Sequence, residues 1–156
     1  ITNRLVGSEM CIRDRDIPAG ASENSMTFAS AVDRLVIVLV SEPTSFMDAY
    51  TFIKTAKLDY NLHNFSIIVN MAENEKAAKE TFDKFQNIVG KFLNAHLTFA
   101  GGMPRTKRIQ NAIIRKLPIV LDKEADFEKV AFQRLSKNII KAGENKHNGI
   151  RFFSES

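Results

Sequence analysis

The stretch Leu35-Val-Ile-Val-Leu-Val-Ser-Glu-Pro-Thr-Ser45 decides the fold, because it joins the pattern of a buried strand to the start of a helix. Its first six residues are all apolar and mostly β-branched, which is typical of a strand buried on both faces of a parallel sheet. Ser45 and Asp48 have the spacing of a capping box, with Asp in place of the usual Glu or Gln. A helix is therefore predicted from about Phe46 to Leu58.

The same alternation of strand and helix continues downstream. Phe65-Ser-Ile-Ile-Val69 is a second predicted strand, and Leu97-Thr-Phe99 is a short third one that Gly101-Gly102 should stop. An amphipathic stripe predicts a helix from Glu75 to Leu93. Thr106 is a predicted N-cap of a short helix that buries Ile109, Ala112 and Ile113. Pro118-Ile-Val-Leu121 is predicted to be extended. A final helix is predicted from Asp126 to Ile140, and the residues on its inner face are Phe127, Val130, Ala131, Leu135 and Ile139. Such alternation predicts an α/β fold with a doubly wound parallel sheet and flanking helices.

Composition excludes several classes of protein. The chain has 156 residues, of which 44% are hydrophobic and 26% charged, and this is ordinary for one globular domain with its own core. No apolar run approaches the roughly 20 residues that span a bilayer. The single cysteine, Cys11, excludes a disulfide framework. The formal charge of +4 is mild and spread among acids, so it favours a solvated basic face over nucleic-acid binding.

The first fifteen residues have an unusual origin. Leu5-Val-Gly-Ser-Glu-Met-Cys-Ile-Arg-Asp14 matches the translation of a transposon-end sequencing adapter, so residues 1–15 are interpreted as an artefact. The alternative is a natural polar arm. On the first interpretation authentic sequence starts near Asp16, and more protein once lay upstream. Resequencing the gene tests this interpretation. A natural reading frame that continues unbroken through Gly7 to Asp14 would contradict it.

Ligands of open α/β sheets bind outside the carboxyl ends of the strands, which directs attention to four loops. Asp16-Ile-Pro-Ala-Gly20 offers a carboxylate that could hold a Mg²⁺-bound water, and a glycine amide that could approach a phosphate. A plain Asp-Pro-Gly turn fits that pattern equally well. The other three loops are 41–45, 70–74 and 101–106.

Asn70 follows the second strand, and its amide can both donate to and accept from a ligand. Its alternative role is to satisfy the turn, as Asn often does. Pro104 would offer a rigid apolar edge to a ligand, or would act only as a turn proline. The basic residues nearby fit either a solvated helix face or contact with a partner or an anionic surface; they are Arg105, Lys107, Arg108, Arg115 and Lys116.

A longer segment carries a family resemblance. Val40-Ser-Glu-Pro-Thr-Ser-Phe-Met-Asp-Ala-Tyr-Thr-Phe-Ile-Lys54 resembles the segment that follows switch II in MinD/ParA-type P-loop ATPases of the flagellar-number regulator branch (FlhG/YlxH-like). Asp16-Ile-Pro-Ala-Gly20 is similar to switch II itself. Ser41 replaces the usual first Pro, and Thr106 stands where the family has Asp, so any contact of that carboxylate is in doubt. The resemblance assigns residues 16–142 to the C-terminal part of the ATPase domain.

The resemblance implies ATP and Mg²⁺ as cofactors of the intact parent, with Asp16 and Gly20 in switch II and Asp16 reaching Mg²⁺ through water. It also implies that Asn70 reads the adenine base and that Pro104 and Arg105 contact the nucleotide. It implies an ATP-dependent homodimer whose partners are a flagellar assembly GTPase or switch proteins. No Gly-x-x-x-x-Gly-Lys-Ser/Thr string occurs in the chain, so no catalytic set is complete and the piece alone is expected to be inactive. Because the family's P-loop strand pairs beside Leu35–Val40, its loss leaves an open, aggregation-prone edge.

The tail and two rival interpretations complete the expectations. Residues 143–156 are predicted to be a flexible tail, in which Ile150-Arg-Phe-Phe153 is a candidate for peripheral membrane contact in an otherwise cytoplasmic protein. One rival is a ParA-type chromosome or plasmid partitioning ATPase. The other is a nonenzymatic flavodoxin-like interaction module, which predicts that Asp16 and Asn70 share no cleft.

Overall fold

The computed structural model describes residues 15–18, 20–32 and 34–141. The adapter-like stretch before Arg15 and the predicted tail at 143–156 lie outside these ranges. The expectations for both segments therefore stay predictions.

Helices and strands alternate along the described chain, as predicted. In order they are α1 (Glu23–Ser30), β1 (Leu35–Leu39), α2 (Pro43–Tyr60), β2 (Asn64–Ala72), α3 (Glu75–Phe92), β3 (His96–Pro104), α4 (Lys107–Ile114), a 3₁₀ turn (Ile119–Leu121) and α5 (Asp126–Lys141).

The three strands of the described residues form one parallel sheet in the order β1-β2-β3. Leu39 pairs with Val69, and Val69 pairs with Gly102, so the carboxyl ends of all three strands lie at one end of the sheet. The α/β class and the parallel sheet are thereby confirmed. The segments ending at Val40 and Val69 lie side by side, whereas residues 15–18, the first of the four loops expected at the strand ends, follow no described strand.

The two faces of the sheet are covered unequally. One face carries the main core, where side chains of α1, α2 and α3 pack on Phe65, Ile67 and Val69. The other face carries a smaller cluster of Met103, Ala131 and Leu135 under α5. On that second face Val38 of β1 remains 57% exposed, because α5 packs mainly on β3 at the far side of the sheet.

The start of α2 differs from the prediction. The helix begins at Pro43, not Phe46, because proline suits the first helical turn, where its missing N–H is not needed. Ser45 is not the cap, since its Oγ instead accepts a hydrogen bond from the Val40 backbone N–H at 3.0 Å. Ala49, Ile53 and Ala56 form the buried side of the helix.

The prediction that Gly101-Gly102 stops the third strand is wrong. β3 continues through both glycines to Pro104. A Cβ on Gly102 would lie 2.4 Å from Cβ of Ala78 in α3, and one on Gly101 would lie 2.8 Å from Cδ2 of Leu135 in α5. The glycines therefore thin the strand so that helices can approach it closely on both faces.

The C-terminal third contains three further corrections. The 3₁₀ turn replaces the predicted extended piece at Pro118–Leu121. Ile113 is 69% exposed although it was expected to be buried. Phe127 and Val130 are also exposed, whereas Ala131 and Leu135, which pack beside Met103 of β3, are buried as predicted.

Within the described residues, no helix has the length and apolarity that a bilayer crossing requires.

Candidate functional site

The end of β2 contains a bulge that sets the position of Asn70. Val69 pairs with Gly102 and Ala72 pairs with Pro104, so β2 uses one residue more than β3 over the same distance. Met71 takes the extra step with φ of 57°, a left-handed conformation that is uncommon for residues other than glycine. Bulges of this kind re-aim side chains and are frequent beside functional sites.

Asn70 lines a groove of about 510 Å³ on the second face of the sheet. Its Oδ1 accepts a hydrogen bond from the Met71 backbone N–H at 2.9 Å, which is the turn role named as the alternative. The Nδ2 group has no hydrogen-bond partner within the described residues, so the side chain could still donate to a ligand. Both roles are therefore compatible.

The walls of the groove are mostly apolar and come from all three strands, α4, the 3₁₀ turn and α5. Lys116 is the charged residue among them, and it lies two residues after the end of α4 in a left-handed conformation with a φ of 54°. The remaining lining residues are Val38, Ile68, Met103, Ile109, Ala112, Ile113, Leu117, Pro118, Ile119, Phe132 and Leu135. A planar apolar group with a hydrogen-bonding edge fits such walls beside an amide.

Pro104 and Arg105 lie at the end of β3, next to the end of β2. The Arg105 backbone N–H donates to the Ala72 carbonyl at 2.9 Å, which ties the two loops together. Thr106 caps α4 as predicted, because its hydroxyl accepts from the Ile109 N–H at 3.1 Å. Neither Pro104 nor Arg105 lines the groove, so their predicted contacts with a nucleotide stay predictions.

Asp16 and Gly20 precede α1 and do not line the groove. Residues 15–18 form no strand, and Asp16 is exposed. Gly20 has a φ of 103°, which only glycine adopts readily, and its predicted approach to a phosphate stays a prediction. Among the described residues no three His, Cys, Asp or Glu side chains converge to hold a metal, and the indirect Mg²⁺ role of Asp16 stays a prediction.

Part of the basic cluster is neutralised locally. Arg108 in α4 pairs with Asp122 at 3.3 Å and with Glu124 at 3.2 Å. The pKa of Asp122 lies below its usual value, first because its carboxylate accepts from the Glu124 backbone N–H and then because Arg108 donates to it. These contacts fasten α4 to the loop after the 3₁₀ turn, so Arg108 serves the structure of the groove wall.

A second ion pair, which the sequence analysis missed, braces the end of β3. Arg134 of α5 donates to Glu75 at the start of α3, across the backbone of Gly102. The two residues lie 59 positions apart, so no local pattern could have indicated the contact. It joins the helices of both faces at the end of the sheet where Asn70 lies.

The left-handed conformation of Met71 in the bulge leads to a prediction about the stability of its variants. Met71→Gly should leave the free energy of unfolding unchanged or raise it by up to about 1 kcal/mol, because glycine removes the left-handed strain and the side chain is exposed. Met71→Ile should lower it by about 1–2 kcal/mol, since a β-branched residue tolerates this φ poorly.

Urea denaturation of the purified chain measures both effects. The matched control is Met47, an exposed methionine inside α2, where glycine should cost about 1 kcal/mol. Equal losses for Met71→Gly and Met47→Gly would contradict the strained bulge.

Comparison with known proteins adds one relative. No family model matches the chain. The chain is 29% identical over 98 residues to a protein described as Antiactivator FleN, from Pseudomonas aeruginosa, and the match covers 63% of this chain and 35% of the relative. The chain thus spans about a third of the length of the curated relative it matches. What the comparison shows is a low-identity similarity to part of that antiactivator.

Proposed function

We propose that the chain is the C-terminal part of a MinD/ParA-type ATPase that controls flagellar number or placement. In this proposal it carries the switch II segment and the adenine-side loops, and the P-loop belongs to upstream sequence. The observation that carries it is the position of Asn70, which lines a largely apolar groove beside the joined ends of β2 and β3. The similarity to Antiactivator FleN over 98 residues supports it.

The groove suits the base of a nucleotide better than its phosphates. Its walls are mostly apolar, and Asn70 supplies a hydrogen-bonding amide. Phosphoryl transfer needs a P-loop lysine, a metal ligand and a positioned water. ATP and Mg²⁺ are therefore proposed as ligands of the longer protein, where the phosphates would contact upstream residues and Mg²⁺ would reach Asp16 through water.

The upstream gene sequence is the most direct test. A Gly-x-x-x-x-Gly-Lys-Ser/Thr string should occur within about 200 residues before Asp16, roughly one α/β domain. The chain alone should show no micromolar affinity for ATP in calorimetry. An upstream frame without this string, or tight ATP binding by the chain alone, would overturn the proposal.

The role of Asn70 is tested in that longer protein. Asn70→Ala should weaken ATP binding by about three- to tenfold, the value of one hydrogen bond. Asn87→Ala, on the exposed surface of α3, is the matched control and should leave ATP binding unchanged. Equal affinities of the two variants would remove Asn70 from the nucleotide site.

The proposed partners follow from the same proposed membership of the MinD/ParA-type ATPases. ATP would close a homodimer of the longer protein, and a flagellar assembly GTPase or switch proteins would bind it. Peripheral contact with the inner face of the membrane would involve the tail at 143–156. Liposome co-sedimentation of the longer protein with and without that tail tests the contact, and equal binding of both forms excludes it.

A further inference from the structure

The third strand contains a bulge of its own, which inverts the alternation of its side chains. Ile68 pairs with Gly101 although the residue before it pairs with Phe99, so Ala100 is an extra residue that the ladder to β2 skips. Phe99 packs against the main core, whereas Met103, four residues later, lies in the smaller cluster on the second face. Residues four positions apart share a face in a regular strand, so the extra residue turns Met103 over.

This bulge compensates the one at Met71 in β2. Val69 belongs to the main core, and Ala72 packs against the same core three residues later, so the alternation of β2 is inverted as well. After both bulges Ala72 pairs with Pro104, at the same offset along the chain as the first pairs of the two strands. Loss of one bulge alone would shift the register by one residue and turn side chains to the wrong face. The two bulges are therefore one structural unit.

A side chain of α5 holds the bulge in β3. Nδ2 of Asn138 donates to the carbonyl of Ala100 at 2.8 Å. Asparagine is a poor helix former, which indicates that its place inside α5 serves this tertiary contact. Gly101 follows with a φ of 138°, a conformation that favours glycine, and a Cβ there would lie 2.8 Å from Cδ2 of Leu135. The bulge is thus fixed by residues about one turn apart on α5.

We propose that Asn138 is a positioning residue of the groove, because it holds the two bulges in place through the carbonyl of Ala100. The bulges turn Met103 into the groove that Asn70 borders. In the straight register both bulges vanish, Ala100 takes the position opposite Ile68, and Met103 turns to the face of the main core. The groove then loses an apolar wall. The effect on a nucleotide rests on the proposed function, whereas the effect on the register does not.

A double-variant cycle in urea denaturation of the full chain tests the coupling. Asn138→Asp removes the donor at unchanged size, and Met71→Val puts a β-branched residue at the left-handed position of the other bulge. Each should raise the unfolding constant at least about threefold. Neither change can cost more than the free-energy difference between the two registers, so their effects saturate. The double variant should therefore fall at least about threefold short of the product of the single effects.

Gln133→Glu is the matched control, because it makes the same amide-to-carboxylate change at an exposed position of α5. Its effect should simply multiply with that of Met71→Val. Asn138→Ser removes the amide without adding charge, so it gives the same cycle in a milder form if the Asp variant unfolds. Full multiplication of the effects at positions 138 and 71 overturns the proposal.

Nuclear magnetic resonance reports the register directly. Cross-strand contacts should place Val69 beside Gly102 in the unaltered chain and beside Gly101 in the folded double variant. A double variant that keeps the first contact overturns the proposal. In the longer protein, Asn138→Asp should also weaken ATP binding at least about threefold, while Gln133→Glu should not. A changed register with unchanged ATP affinity would support the role of Asn138 and remove the groove from the nucleotide site.

Discussion

Gly102→Ala is expected to lower the free energy of unfolding by about 2–3 kcal/mol, one of the two largest single effects foreseen for this chain. The new Cβ would lie 2.4 Å from Cβ of Ala78, a distance that packed carbon atoms do not adopt. Both atoms are attached directly to backbone, so no side-chain rotation relieves the overlap. α3 must move away from β3, and the contact of Arg134 with Glu75 across Gly102 should loosen with it.

Urea denaturation followed by circular dichroism measures this effect, and two variants control it. Gly90→Ala in α3 meets no atom within 4 Å and should stabilise the chain by about 0.5–1 kcal/mol. Adding Ala78→Gly to Gly102→Ala restores the space and should recover part of the loss, although glycine in a helix costs about 1 kcal/mol. If the double variant is as unstable as the sum of the two single changes, the overlap is not the cause.

Phe85→Ala is expected to lower the free energy of unfolding by about 3–5 kcal/mol. Phe85 is fully buried in the main core and meets Phe46 edge-on, with ring centroids 5.3 Å apart. Truncation removes the apolar area that the ring buries and leaves a cavity between α2, α3 and the sheet. A total stability of a few kcal/mol would not survive this change.

The control for Phe85 is the same truncation at Phe127, whose side chain is 67% exposed at the start of α5. Phe127→Ala should change the free energy of unfolding by no more than about 0.5 kcal/mol. The amplitude of far-ultraviolet circular dichroism at 25 °C and the urea midpoint report both variants. Similar losses of unfolding free energy at the two positions would contradict the assignment of Phe85 to the core.

The strands and helices of this chain were largely predictable because their signals are local. A run such as Phe65-Ser-Ile-Ile-Val69 can bury both faces only inside a sheet, and the stripe through Phe82, Phe85 and Val89 can bury one face only as a helix. The cap at Thr106 was predicted for the same reason, since the hydroxyl and the N–H it accepts from are three residues apart.

The sequence-based predictions were wrong where the role of a residue depends on residues that are distant along the chain. Gly101-Gly102 has the local pattern of a strand stop, and only the positions of Ala78 and Leu135 show that it is a close-packed part of β3. Phe127 and Val130 have the spacing of an inner face but are exposed, because α5 packs on β3 through Ala131 and Leu135 instead.

The candidate site divides in the same way. The sequence by itself determined that Asn70 follows a strand and that Thr106 begins a helix, because propensity and capping act over three or four residues. Only the tertiary structure decided that Asn70 borders a groove lined by three strands, two helices and the 3₁₀ turn, and that the Arg105 N–H is hydrogen-bonded to the Ala72 carbonyl. Register, bulges and helix approach are set by contacts between residues tens of positions apart, and the free energy of those contacts has no signature in local sequence.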